Sequence, residues 1–297
     1  MISVAPFRFR NVLAAAGGPV ARIETGLLPV RGRQVFLANA TLVDGLTRKE
    51  PLCLFSEAHG SGTHREALVA RHKAIAEAME RWAFHRTVRS DRAAEFGFDI
   101  DPSSTGMAAF PGIVRSQARR LAVLEAIERW TLIAWWDGLL PASPISTDWP
   151  GVSGLTIEGP PGGVTVVVWA KSQWGGYVYG HAAEESLSAA CEHAVVELAR
   201  HEWVLRGRWL REAVEPGPAV PANVFEQRCL FFAGEEGHAL FLERVAARPG
   251  GRGRVQPVVI CDAFLPGPWS RFATVWRFAF RPPSAAYRLG GERYFFL

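Results

Sequence analysis

The 297-residue chain is 48% hydrophobic and 21% charged, the balance of a folded globular protein with room for one large core or two ordinary ones. A net charge of +4, scattered along the sequence, excludes a dense polynucleotide-binding surface but suits an acidic small ligand. Four separated cysteines (Cys53, Cys191, Cys229, Cys261) with no CxxC pair, no apolar run of about 18 residues and no signal-peptide h-region point to a reduced, cytoplasmic protein with neither membrane nor nucleic-acid partners.

From 19 to 57, short apolar runs broken by turn residues (VARIETGLLPV, RQVFLANATLV, PLCLF) predict strands. HGSG at 59–62 has the composition of a phosphate-binding turn and equally of an ordinary flexible one. A helix is expected over about 65–86, started by a capping box between Thr63 and Glu66. FGFDIDPSSTGMAAFPG (96–112) reads as a loop with one short strand. RSQARR (115–120) opens a second helix, to about 136, and is expected to solvate its start. Residues 137–160 look irregular, VTVVVWAKSQ (164–173) reads as a strand, and a third helix is expected over about 184–206. A proline-rich linker follows at 212–224, and VQPVVICDAFL and FATVWRFAFR are strand candidates. This order predicts an α+β (mixed α/β) fold, a mixed sheet packed by long helices. Residues 1–54 form a strand-rich segment, and 55–297 one continuous domain. Neither a Rossmann GxGxxG nor a P-loop is present.

One pattern occurs twice. KAIAEAMERW (73–82) and LAVLEAIERW (121–130) share Ala, both Glu, Arg and Trp in register. On a helix, Glu77 and Glu80 share a face, as do Glu125 and Glu128. The second pair emerges from an apolar stripe of Ala118, Leu121 and Ala122. Paired carboxylates in a poorly solvated place repel unless a cation lies between them. Arg81 and Arg129 point about 100° away and can compensate only in part. A divalent cation fits better, and Mg²⁺ prefers carboxylate and phosphate oxygens. Packing of the two helices would join four carboxylates around Mg²⁺ and a nucleoside triphosphate. Against this stands a plain solvated Glu/Arg face, made less apt by the duplication. AVVELAR (194–200) is a third, degraded echo that keeps Glu197 but has Arg200 in place of the second Glu. His193, Glu197 and His201 share a face and read as structural. Trp130, Trp135, Trp136 and Phe84 read as core.

GSGTHREALVARHKAIAEAMERW resembles the first signature of the YcaO family, and SSTGMAAFPGIVRSQARRLAVLEAIERW the second. GHAAEESLSAACEHAVVELAR is similar to the family's third helix, and TVWRFAFRPP to its late strand, whose Arg is Arg277. The resemblance runs in order from about 55 to 283. It implies a YcaO-like ATP-binding domain that uses Mg²⁺ and ATP to O-phosphorylate a backbone amide of a ribosomally made precursor peptide or protein. Attack by a Cys, Ser or Thr would then give an azoline, and external sulfide a thioamide, in the manner of a cyclodehydratase. It further implies Glu77, Glu80, Glu125 and Glu128 as catalytic and metal ligands and Arg277 as a catalytic phosphate contact. Ser104, Thr105 and Gly106 would line the nucleotide pocket, with Lys73, Arg81 and Arg129 as further cofactor-binding residues. A partner protein for substrate delivery and a homodimer fit the family habit. The chain departs from the family pattern at Ser61, Lys73, Thr105 and Phe110, where the family reads Lys, Ser, Asn and Gly. The alternative is a degenerate YcaO-fold protein that binds a precursor peptide or partner enzyme without turning over ATP.

Overall fold

A computed structural model describes residues 3–48, 54, 58–212, 221, 223–247 and 255–295. In chain order the elements are α1 (Ala5–Arg8), β1 (Val20–Val30), β2 (Arg33–Leu42), β3 (Gly60–His64), α2 (Ala67–Thr87), β4 (Met107–Phe110), α3 (Ser116–Trp136), β5 (Ala142–Ile145), β6 (Ser153–Ile157), β7 (Val164–Lys171) and β8 (Tyr177–Glu184). They continue with α4 (Leu187–Glu212), α5 (Val224–Ala233), α6 (Glu235–Ala246), β9 (Val259–Phe264), β10 (Thr274–Phe280) and α7 (Ala286–Leu289). The α+β class holds. In place of the expected mixed sheet there are three sheets, ordered β1-β2-β3, β4-β10-β9 and β5-β6-β7-β8, and every named strand pair is antiparallel. The connections explain this. Arg31 and Gly32 both have positive φ (43° and 86°) in a tight β1–β2 turn, and only five residues join β7 to β8, whereas parallel pairing needs a crossover of a dozen or more.

Several local expectations change. HGSG is not a turn, because Gly60–His64 is strand β3, paired to β2. The capping box is absent: Thr63 belongs to that strand, and Glu66 caps α2 without a side-chain hydrogen bond. The stretch 137–160 contains β5 and β6, and α4 runs six residues past its expected end. The proline-rich stretch lies mostly outside the described residues, as do Cys53 and most of PLCLF. Among the described residues Cys191, Cys229 and Cys261 are free and buried, and no helix is long and apolar enough to cross a membrane.

The chain divides into two compact units. Unit 1 comprises Met1–Glu50, Glu57–Ala126 and Val258–Arg281, and unit 2 comprises Pro51–Ser56, Ile127–Pro257 and Pro282–Leu297. The core of unit 1 joins the inner face of α2 to the β1-β2-β3 and β4-β10-β9 sheets through Ala38, Ala40, Met79, Phe98, Met107, Trp269 and Val275. Part of the RSQARR cluster serves this unit instead of only solvating a helix start. Arg119 makes a bidentate pair with Asp262 on β9 (2.9 and 2.6 Å), and Arg115 lies over the Phe264 ring at 4.1 Å. The core of unit 2 is aromatic. Trp135, Trp136, Tyr179, Phe232, Phe241 and Phe295 meet at edge-to-face or tilted angles, as the core reading of the tryptophans requires.

Each unit repeats one local device. In unit 1, Ala70, Ala74 and Ala78 form a fully buried stripe at helical spacing on α2, and β3 lies directly against it. A Cβ built on Gly60 would stand 2.2 Å from the Ala74 carbonyl oxygen and 2.4 Å from the Ala78 nitrogen. In unit 2, Ala190, Ala194 and Leu198 form the equivalent stripe on α4 against β8. A Cβ on Gly180 would stand 2.0 Å from the Ala194 carbonyl oxygen and 2.4 Å from the Leu198 nitrogen. Small residues on both partners let strand and helix backbones approach, and this sets which side chains stand opposite one another.

Candidate functional site

The close packing of β3 on α2 positions the first expected carboxylate. Gly60 and the small residue stripe bring the Ser61 amide over the helix, where it donates to Glu77 Oε2 at 2.9 Å. The other oxygen, Oε1, lies 4.0 Å from Nη2 of Arg81, one turn further along. Arg81 in turn donates through Nη1 to the Ser104 hydroxyl at 3.0 Å. Ser61, Glu77, Arg81 and Ser104 thus form a connected polar line in unit 1, in which both Glu77 and Arg81 retain substantial exposure (35% and 40% of the side chain). Glu80 and Glu125 are half-buried in the same unit, on α2 and α3. Lys73 is exposed, one turn before Glu77.

The loop carrying Ser104, Thr105 and Gly106 is fixed from beneath. Arg277, fully buried on β10, donates through Nη1 to the Ser103 carbonyl (2.6 Å) and through Nη2 to the Asp101 carbonyl (2.8 Å). Its guanidinium lies over the Phe98 ring at 3.8 Å. Ser103 links its hydroxyl to Asp101 Oδ1 and Thr105 Oγ1, each at 2.7 Å. Gly106, at φ +67°, accepts from the Phe278 amide at 2.8 Å, and a Cβ there would lie 1.8 Å from the Phe278 carbonyl oxygen. The structure therefore places Arg277 against the backbone of the expected nucleotide loop.

Glu128 and Arg129 fall in unit 2. Glu128 Oε1 meets His181 Nδ1 at 2.9 Å, and Oε2 accepts from the Ala183 amide at 3.2 Å. Burial raises the Glu128 carboxyl, but the His181 hydrogen bond and charge, with Arg129 and His193 behind them, outweigh it and hold the group below the usual carboxylate range. Nearby, Arg200 binds both oxygens of Glu197 (2.8 and 3.1 Å), while His193 Nδ1 meets Glu184 at 3.1 Å. Burial raises Glu197 as well, and the Arg200 charge brings it down. His201 is buried, and its Nδ1 accepts from the Tyr179 amide at 3.2 Å. The structural reading of His193, Glu197 and His201 agrees with these partners.

Glu197 occupies in unit 2 the place that Glu77 occupies in unit 1, within the helical turn that the strand glycine touches. Arg81 lies 4.0 Å from Glu77, whereas Arg200 binds both oxygens of Glu197 within 3.1 Å. Among the described residues no group of three or more His, Cys, Asp or Glu stands ready to hold a metal by itself. Two partners escape a reading by residue type. Ser61 acts through its backbone N–H, for which the Gly-Ser-Gly run is the signal. His181 pairs with Glu128, and its signal is the GHAAE stretch preceding the third helix.

No family model matches the chain, and no curated protein matches it in sequence. Solved structures do match. YcaO from Methanopyrus kandleri, bound with AMPPCP and Mg²⁺, is similar over 97% of this chain and 91% of its own, with a TM-score of 0.55 and 15% identity. The E. coli microcin synthetase McbBCD complex with pro-MccB17 bound matches over 87% of this chain and 86% of its own, with a TM-score of 0.55 and 12% identity. A second structure of the E. coli microcin synthetase McbBCD complex gives a TM-score of 0.52 at 13% identity, covering 86% of each chain. Across nearly its whole length, the chain has the YcaO-like fold.

Proposed function

We propose that the protein binds Mg-ATP and uses it to activate a backbone amide of a ribosomally made peptide or protein. The observation that carries this is Glu77: a half-exposed carboxylate, oriented by the Ser61 amide and lying beside Arg81 and the Ser104 loop. Support comes from the fold, one of whose structural neighbours holds an ATP analogue with Mg²⁺ and another a precursor peptide. The donor chemistry fits, because Mg²⁺ is usually held by one or two carboxylates with phosphate oxygens completing its shell. A ready-made cage of three protein ligands is therefore not required.

In this reading Glu77, Glu80 and Glu125 supply hard oxygen ligands. Ser104, Thr105 and Gly106 face the nucleotide, and Lys73 and Arg81 balance its negative charge. Arg277 is a positioning residue: it holds the loop from its buried side. Bound ATP would supply the phosphoryl group that turns an amide oxygen into a good leaving group, and the protein's part is orientation and charge neutralisation. Azoline and thioamide products both remain within the proposal. Calorimetric titration with a non-hydrolysable ATP analogue, with and without Mg²⁺, tests it: metal-dependent binding is expected, and no binding in either condition would sink it. A non-catalytic scaffold is the second reading, favoured by the engagement of Glu128 with His181 and Ala183.

A further inference from the structure

Away from the Glu77 line, unit 1 has a basic pocket of about 280 Å³ lined by Phe7, Arg8, Arg10, Asn11, Arg271 and Phe272. Its wall is held in place by backbone hydrogen bonds. The Val4 amide donates to Pro111, Arg8 to Val4, Phe9 to Ala5 and Val12 to Phe9. Phe9, behind the wall, is buried and packs near His72 (ring centroids 5.7 Å apart). Phe272 is buried, and Arg271 lies 5.6 Å over its ring. Arg8 Nη1 is shielded from solvent and, among the described residues, meets no acceptor. Burial lowers the Arg8 guanidinium from its usual value. Among the described residues, none of the three arginines has an acidic partner. On the rim, Phe7 is 81% exposed.

A buried donor without an acceptor is costly unless a ligand supplies one. Three guanidiniums call for a carboxylate or phosphate. The remaining features choose between anions. The space exceeds one oxyanion, and the exposed Phe7 offers apolar surface that a bare phosphate leaves unused. Three arginines are also too few to track a polynucleotide backbone. Arginine beside exposed aromatic surface is instead the composition of protein recognition sites. We infer that this pocket binds an acidic peptide segment, with an Asp or Glu carboxylate on Arg8, Arg10 and Arg271 and a neighbouring apolar side chain against the exposed Phe7. The inference rests on the peptide-modification reading only in taking that segment to belong to the substrate. The wall is preformed, so little ordering cost is added on binding.

The test is fluorescence anisotropy with a labelled peptide alternating Glu with Leu and Phe, and with the same peptide carrying Lys for Glu. The acidic peptide should bind and the lysine peptide should not. The exposed double variant Arg10→Glu/Arg271→Glu should weaken binding by roughly tenfold or more, and Phe7→Ser by a smaller factor. Unchanged affinity in the double variant, binding of the lysine peptide, or displacement by inorganic phosphate or a short oligonucleotide would overturn the inference. The ATP-analogue titration is run on the same preparations. Lost peptide binding with intact nucleotide binding is expected for the double variant. Nucleotide binding with no peptide binding in the unmodified protein overturns this inference and leaves the phosphoryl-transfer reading standing.

Discussion

The backbone N–H of Ser61 donates to Oε2 of Glu77 at 2.9 Å. That contact exists because Gly60 lets β3 rest on the backbone of α2, so the glycine and the carboxylate are parts of one arrangement.

The first prediction follows. Gly60→Ala places a methyl group 2.2 Å from the Ala74 carbonyl oxygen, and Gly180→Ala places one 2.0 Å from that of Ala194. Each should destabilise its unit by about 1–3 kcal/mol, read as a lower urea midpoint. Gly26→Ala, with open space at its Cβ, is the control and should change stability little. Equal stability of all three variants would contradict the packing described.

Arg277 gives the second. Arg277→Met removes the guanidinium donors to the Ser103 and Asp101 carbonyls, a loss on the order of 3 kcal/mol. Because the Phe278 amide is bonded to Gly106, its hydrogen exchange should accelerate as the loop loosens. Arg277→Lys should rescue only in part, since one ammonium cannot reproduce the planar fork. Full stability with unchanged exchange in Arg277→Met would argue for a role outside the loop.

A third concerns acid. Burial is the main cause that lowers His201 to about 4, with the His181 charge assisting. Below its ordinary value of about 6.5 the unfolded chain takes up a proton that the folded state refuses. The stability from keeping His201 neutral is therefore complete above about 6.5 and lost progressively towards 4, by up to roughly 3 kcal/mol. His201→Asn keeps an acceptor for the Tyr179 amide and should flatten this part of the pH profile. An identical profile in the variant would show that other groups dominate it.

The long helices were legible because their apolar spacing is sustained over twenty residues and more, and the α+β class followed from their alternation with β-branched runs. The strand identity of Gly60–His64 was hidden, because glycines carry no strand propensity and their function here is contact with a helix. The repeat visible in the sequence links α2 to α3. The repeat of strand on helix links α2 to α4, where the residues differ but the close backbone contact is the same. The expected site is likewise half visible. Residue types announce Glu77 and Arg277, whereas the Ser61 amide, the carbonyls beneath the Ser104 loop and the His181 partner of Glu128 are products of packing that no motif spells out.

Glu77, oriented by the Ser61 amide and only loosely paired with Arg81, is proposed to serve a metal-bound nucleotide, whereas its counterpart Glu197, held by Arg200, is not. The most direct measurement is calorimetric titration of Mg²⁺ and a non-hydrolysable ATP analogue into the unmodified protein, Glu77→Gln and Glu197→Gln. Metal-dependent binding that Glu77→Gln abolishes and Glu197→Gln preserves is expected. Undiminished binding in Glu77→Gln would contradict it.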